Sequence, residues 1–332
     1  MRFLLADEQR AFARSLDAML TAADTPATAR AWGAGDRAPG DALWARLADT
    51  GVFALPVPQE YEGVGPLPVE TAVAFVELGR HAVPGPVVEA VGAAALLAHL
   101  AERGEREPAK RFLPALASGA ARATLTLPGV FPGASPHALD ADAADLVLTA
   151  ADGELRLAPG HARVHRSLDP ARHLAEPLPG GEPLASGPAV AAAARHAVDW
   201  AALATAAQTL GVGFALLDRT VAYVKQRTQF GAPIGSFQAV KHRLADVLVR
   251  LEFARPLVFG AATTMAPGDL AAAKVTSAEA AYGAARAALQ LHGAIGYTAE
   301  FDLSLWLTKA RALRGAWGDP GVWRERVMAA RE

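Results

Sequence analysis

Residues 211–241 read GVGFALLDRTVAYVKQRTQFGAPIGSFQAVK. The stretch opens as a helix, with Val212, Ala215, Leu216, Val221 and Val224 close to helical spacing. It stops at Gly231-Ala232-Pro233, because proline lacks an amide hydrogen and biases the preceding residue away from helix. Ser236, a good N-cap type, is the expected start of the next helix. The corner between them carries Arg227, Thr228, Gln229 and Phe230: a fixed cation, two hydrogen-bonding side chains and a flat ring. That set suits a phosphate with an aromatic neighbour. A helix end whose Lys225 and Arg227 simply oppose the dipole is the alternative.

Around this corner the chain alternates between two textures. Up to about residue 120 it reads as helices joined by turns: Leu5–Leu20, Asp41–Ala48, Pro68–Gly79, Val87–Ala101, and Glu105–Ala117 broken at Pro108 and Pro114. Residues 121–187 read as a small β domain of four to six short strands. There ATLTL alternates, and Asp152-Gly153 marks a hairpin. From 188 the chain is helical again. Ala189–Gln226 alone gives ~57 Å of helix at ~1.5 Å per residue. Phe237–Met265 comes next, with a kink expected at Pro256. A helix capped by Asp269 then runs to His292, and one capped by Thr298 runs to Ala316. Four long apolar-faced helices are most readily satisfied as a bundle.

Composition narrows the function. The 332 residues are 52% hydrophobic, enough for two or three domains around large cores. A net charge of −2 with dispersed basic residues gives nucleic acid no footing. The absence of cysteine removes disulfides, thiolate nucleophiles and Cys-ligated metals, and fits a reducing cytoplasm. The apolar run in MRFLLADEQRAF is too short for a signal peptide, and no uninterrupted apolar run reaches the ~18 residues of a membrane helix. His161, His165 and His173 lack metal-ligand spacing and read as solvated loop residues.

The segment RTQFGAPIGSFQAVKHRLAD, from Arg227, resembles a signature of the flavin-dependent acyl-CoA dehydrogenases. A second signature runs from Gln290 to Arg311, where LHGAIGYTAEFDLSLWLTKAR succeeds the glutamine, and PQEYEGVG resembles a loop between early helices of that family. The resemblance implies a mainly α fold with a small β domain. Its order is an N-terminal helical domain (1–120), a reduced middle β domain (121–187) and a C-terminal four-helix bundle (188–332). It implies FAD shared between subunits. Arg227 would meet the pyrophosphate, Gln229 and Phe230 the adjoining phosphate and adenine region, and Gln290, Gly293 and Ala294 the ADP end. Ala294 stands where the family usually has glycine. Glu300 and Arg311 match positions at helix ends.

Family catalysis needs a carboxylate to take the α-proton of an acyl-CoA while hydride leaves the β-carbon. The two positions where relatives keep it correspond here to Trp317 and Ala201, neither able to accept a proton; Asp319 is a displaced candidate. Thr124 and Thr126 keep the wording of one flavin-facing strand. No tryptophan occurs from 138 to 187, so the second such strand has no counterpart. The resemblance therefore implies the short, base-less subunit of a heteromeric α2β2 acyl-CoA dehydrogenase, such as those of bacterial steroid and cholesterol breakdown. Its partners would be a larger homologous subunit, an acyl-CoA and an electron-transferring flavoprotein. Two alternatives stay open: a self-sufficient homodimer using Asp319 or Glu300 as base, and a non-catalytic assembly subunit.

Overall fold

The computed structural model describes residues 4–132 and 134–330. Six helices come first: α1 (Asp7–Thr21), α2 (Thr25–Gly33), α3 (Ala38–Asp49), α4 (Pro68–Arg80), α5 (Val87–Glu102) and α6 (Glu107–Ala117). Sequence reading passes over α2, whose TPATARAWG has no clean apolar stripe. Asp24 caps it, accepting from the Ala27 amide at 3.4 Å, and its Trp32 is buried. Helix α6 is continuous where a break was expected. Pro108 falls in its first turn, where a missing amide hydrogen costs nothing, and Phe112, Leu113 and Leu116 anchor the helix past Pro114.

Seven strands come after them: β1 (Ala123–Thr126), β2 (Ala138–Leu139), β3 (Leu146–Ala151), β4 (Glu154–Leu157), β5 (His161–Arg166), β6 (His173–Pro177) and β7 (Glu182–Ser186). They form a β1-β3-β4-β7 sheet and a β2-β6-β5 sheet. The β3–β4 turn has Asp152 at φ 51° and Gly153 at φ 75°, the twist that a two-residue hairpin requires. Strand β1 does not alternate in burial. It runs parallel to β3 and is buried at all four residues, as a strand covered on both faces must be. The histidines expected in loops lie on strands instead: His161 and His165 on β5, His173 on β6.

Helix α7 (Pro188–Gln226) then runs 39 residues to the two-residue strands β8 (Thr228–Gln229) and β9 (Ala232–Pro233). After them come α8 (Gln238–Thr264), α9 (Pro267–His292), α10 (Leu303–Gly315) and α11 (Pro320–Ala329), the last a helix beyond the expected four. The caps expected at Ser236, Asp269 and Thr298 are displaced. The Ser236 and Thr298 hydroxyls donate to the Pro233 and Ile295 carbonyls, and Asp269 sits inside the first turn of α9, accepting from Thr264 Oγ1 at 2.7 Å. Short polar side chains found nearer backbone partners, and Pro267 fixed the start of α9.

Helix α7 is the spine. An 18-residue window of it, mean hydropathy 1.5, is long and apolar enough to cross a membrane, and all of that window is buried in the core. Its alanines and glycines let neighbouring backbones touch. A Cβ on Gly211 would stand 1.9 Å from the Val76 carbonyl oxygen of α4, and one on Gly79 would stand 1.9 Å from that of Gln208. Two reciprocal glycines therefore set the α4–α7 crossing. One core joins α1–α5 to α7–α10, and a second lies among α5, α6, β1, β3, β4 and the first half of α7. Both α5 and α7 belong to each.

The seam under α1 contains a costly group. Burial pushes the Glu77 carboxyl up to about 7, against the pull of Arg80 3.6 Å away. A folded value above the unfolded 4.5 means the native state keeps a proton that the unfolded chain gives up. Stability therefore falls as pH rises from 4.5 to about 7. Glu77→Gln is expected to add about 1–3 kcal/mol at pH ~8 and almost nothing at pH ~4.5, read by urea unfolding at both.

Candidate functional site

Where α7 ends, Arg227 turns extended (φ −71°, ψ 115°) and the chain reverses through β8 and β9. Phe230 (φ 53°) and Gly231 (φ 78°) form the tip. A bulky residue in the left-handed region costs about 1–3 kcal/mol, a strain spent here on holding a ring outward. Phe230 is 95% exposed, and Phe237 meets it edge-on at 6.3 Å. Gln229 Nε2 donates to the Thr228 carbonyl at 2.7 Å. The Arg227 side chain has neither hydrogen bond nor ion pair among the described residues.

The last turn of α9 lies beside this corner. Tyr223, one turn before Arg227, stacks on His292, two residues after Gln290, at 4.1 Å and 22°. Burial lowers the His292 pKa, keeping the stacked imidazole neutral, and its Nδ1 donates to the Ala288 carbonyl at 2.8 Å. Gly293 ends the helix at φ 64°, and a Cβ there would meet nothing within 4 Å. Gln290, Gly293, Ala294 and Glu300 are all exposed. The stack packs the end of α7 against the end of α9, and Arg227 and Gln290 are both exposed near those ends. A permanent cation, an amide, an apolar ring and bare backbone suit a phosphate joined to a planar group.

The catalytic positions look different. Ala201 is fully buried in α7, and its carbonyl accepts from Thr205 Oγ1 at 2.6 Å. Trp317 lies in the α10–α11 loop, where its indole N–H donates to Glu89 Oε1 at 3.1 Å and its carbonyl accepts from Trp323 Nε1 at 2.8 Å. Lys274 Nζ holds the loop through the Leu313 and Gly318 carbonyls at 3.4 and 3.5 Å, and burial pushes its ammonium down to about 7. Asp319 caps α11. Its Oδ1 accepts from the Gly321 and Val322 amides at 2.7 and 3.2 Å, and it does not line the cavity beneath Trp317.

That cavity, about 220 Å³, is walled by Leu125, Leu127, Phe131, Leu174 and Trp317. Glu89 and Arg172 reach it too. Glu89 is 4% exposed, its Oε2 has no partner, and burial raises its pKa against the field of Arg172. Sequence reading missed Glu89; the available signal was a lone acid in the otherwise apolar run VVEAVGAAALL. Thr124 and Thr126 spend their hydroxyls on the Leu139 and Ser135 carbonyls, at 2.6 and 2.7 Å. The cavity is smaller than the ~300–1,000 Å³ of ordinary cofactor pockets. Its two threonine hydroxyls are already engaged, whereas the Arg227 corner keeps its cation and ring exposed.

Known proteins resemble the whole chain. Residues 6–120 match the family model for the acyl-CoA dehydrogenase N-terminal domain, and 191–331 that for the acyl-CoA dehydrogenase C-terminal domain. The acyl-CoA dehydrogenase IpdE2 of Mycobacterium tuberculosis is 36% identical over 307 residues, 91% of each chain. Two solved structures share the fold at 23% identity. A Tcur3481-Tcur3483 steroid ACAD variant gives a TM-score of 0.81 over 98% of this chain and 97% of that one. The ChsE4-ChsE5 complex from Mycobacterium tuberculosis gives 0.79 over 99% and 98%.

Proposed function

This chain belongs to the acyl-CoA dehydrogenase family, and from that premise we propose that it is the base-less half of a two-chain enzyme. It lends FAD contacts to a larger homologous subunit that brings the catalytic carboxylate. The family's chemistry is oxidoreduction with FAD, which when bound accepts the hydride leaving the acyl β-carbon. This chain's own residues bind and orient. Arg227 offers directed donors and a fixed charge to the pyrophosphate. Phe230 and Gln229 flank the adenine side, and Gln290, Gly293 and Ala294 close the ADP end.

One contrast carries the reading. Both family base positions hold groups that cannot take a proton, Ala201 and Trp317, while Arg227 and Phe230 stand in solvent, the guanidinium without a partner among the described residues. An α2β2 assembly accounts for both. A stripe on α8 supports it: Val249, Phe253 and Leu257, spaced four apart, are 51%, 71% and 41% exposed, an apolar face suited to a subunit partner. A steroid-type acyl-CoA is the substrate class we favour, by analogy with the steroid ACAD and ChsE4-ChsE5 folds. An electron-transferring flavoprotein is the expected acceptor, and the cytoplasm the expected setting.

The second reading is a self-sufficient enzyme whose base is Glu89 rather than Asp319. It is favoured by that buried carboxyl beside Trp317, whose proton affinity burial raises. Expressing the chain alone, and then with an adjacently encoded acyl-CoA dehydrogenase, separates the two. The expected result is a colourless lone chain and a yellow pair holding one flavin per two chains. Glu89→Gln should leave the pair's turnover within about twofold. A lone chain that is yellow, oxidises an acyl-CoA and loses that activity with Glu89→Gln establishes the second reading instead.

A further inference from the structure

The β2-β6-β5 sheet gathers three ligand-type side chains that lie far apart in sequence. Ala138 pairs with Ala175, which sets His137 opposite Glu176. His165, paired with Leu174, stands diagonally across on β5. Residues two apart on a strand share a face, so all three project from one side of the sheet. His165 Nε2 lies 2.8 Å from Glu176 Oε1, and His137 Nε2 lies 3.9 Å from the same oxygen. The three atoms fall within 4.8 Å of one another. The two imidazoles meet edge-on at 5.2 Å, both turned toward that carboxylate.

We propose that His137, His165 and Glu176 bind one Zn²⁺ ion. Zinc–nitrogen and zinc–oxygen bonds of about 2.0–2.2 Å in a tetrahedron separate the ligand atoms by roughly 3.4 Å. The spacings of 2.8 and 3.9 Å straddle that value, so small rotations suffice. Two imidazoles and one carboxylate suit zinc better than magnesium or calcium, which take oxygen ligands. Three protein ligands leave a fourth position for water. Neither Nδ1 has a hydrogen-bond partner among the described residues, and Arg163 acts on the same carboxylate, so the ion is held less tightly than in a closed structural site.

Two other clusters bring similar ligands together and suit a cation less well. Asp142, beside Asp140 and His173, already pairs with Arg37. Glu77, beside Asp17 and His81, keeps its proton up to about pH 7. The His137 cluster also has mechanical work to do. Strand β2 is two residues long and pairs only with β6 within its sheet. An ion on residues from β6, β5 and the residue leading into β2 ties that short strand down.

The test is independent of the flavin reading. Untagged protein, with its partner if they co-purify, is stripped by a chelator and dialysed. Zn²⁺ is then titrated in competition with a chromogenic chelator, alongside thermal unfolding. The expected result is one Zn²⁺ per chain and a rise in unfolding temperature. His165→Ala and Glu176→Gln, both at exposed or half-exposed sites, should each weaken binding at least about tenfold. His173→Ala should leave it unchanged. Absence of saturable binding overturns the proposal, as does zinc binding unaffected by a His137→Ala/His165→Ala double variant or lost only with His173→Ala.

Discussion

Arg227→Ala is expected to strip the flavin from the two-chain complex without dissociating the chains. The guanidinium has no partner in its own chain among the described residues, so removing it costs the fold almost nothing. Its loss falls on the ligand. A charged hydrogen-bonded pair with a phosphate, broken from one side, costs about 2–5 kcal/mol, or roughly one and a half to three and a half orders of magnitude in affinity. The check is flavin absorbance per complex after gel filtration, with FAD titration of the stripped protein. Arg227→Lys should fall between, keeping the charge but losing the planar fork. A variant pair that elutes yellow at full stoichiometry would remove Arg227 from the site.

The largest effect on stability is expected at Lys309. Its Nζ lies 2.9 Å from Asp169 Oδ2, with the side chains 4% and 1% exposed. The approach is ionic rather than a well-directed hydrogen bond, while Asp169 Oδ1 accepts from the Ala171 amide at 3.0 Å. The pair staples α10 to the β5–β6 connection, close to Arg172. Lys309→Met leaves a buried carboxylate without its counter-charge, a loss of about 3–5 kcal/mol. Urea unfolding should show the midpoint fall with the slope unchanged. Adding Asp169→Asn should recover much of the loss, because the stranded charge then goes too. A single variant within about 1 kcal/mol of the parent would show that the pair contributes little.

Much of the helical framework was legible because the chain punctuates it. Pro68 and Pro188 open helices, Gly293 closes one, and Asp152-Gly153 makes its hairpin. The exposed corner was legible for the same reason: a helix stopped by glycine and proline must turn its last side chains outward. The features the sequence hid depend on distance along the chain. Glu89 reads as one acid in an apolar helix, and only the fold sets it beneath an indole 228 residues away. His137, His165 and Glu176 come from three strands whose register no single segment encodes. Asp319 could pass for a base until α11 was seen to begin on it. The caps at Ser236 and Thr298 failed for a local reason, since a hydroxyl with a nearer carbonyl leaves the helix end unserved.

The outward stripe of α8 has a consequence for the cell as well as for the enzyme. In the two-chain enzyme proposed above, a partner would cover Phe253 and its neighbours. On that reading, a copy made in excess of its partner would keep the stripe bare, a handhold for chaperones and proteases. Matched dosage of the two genes, from one transcript or by clearance of the surplus, would then be a condition for the steady supply of either chain.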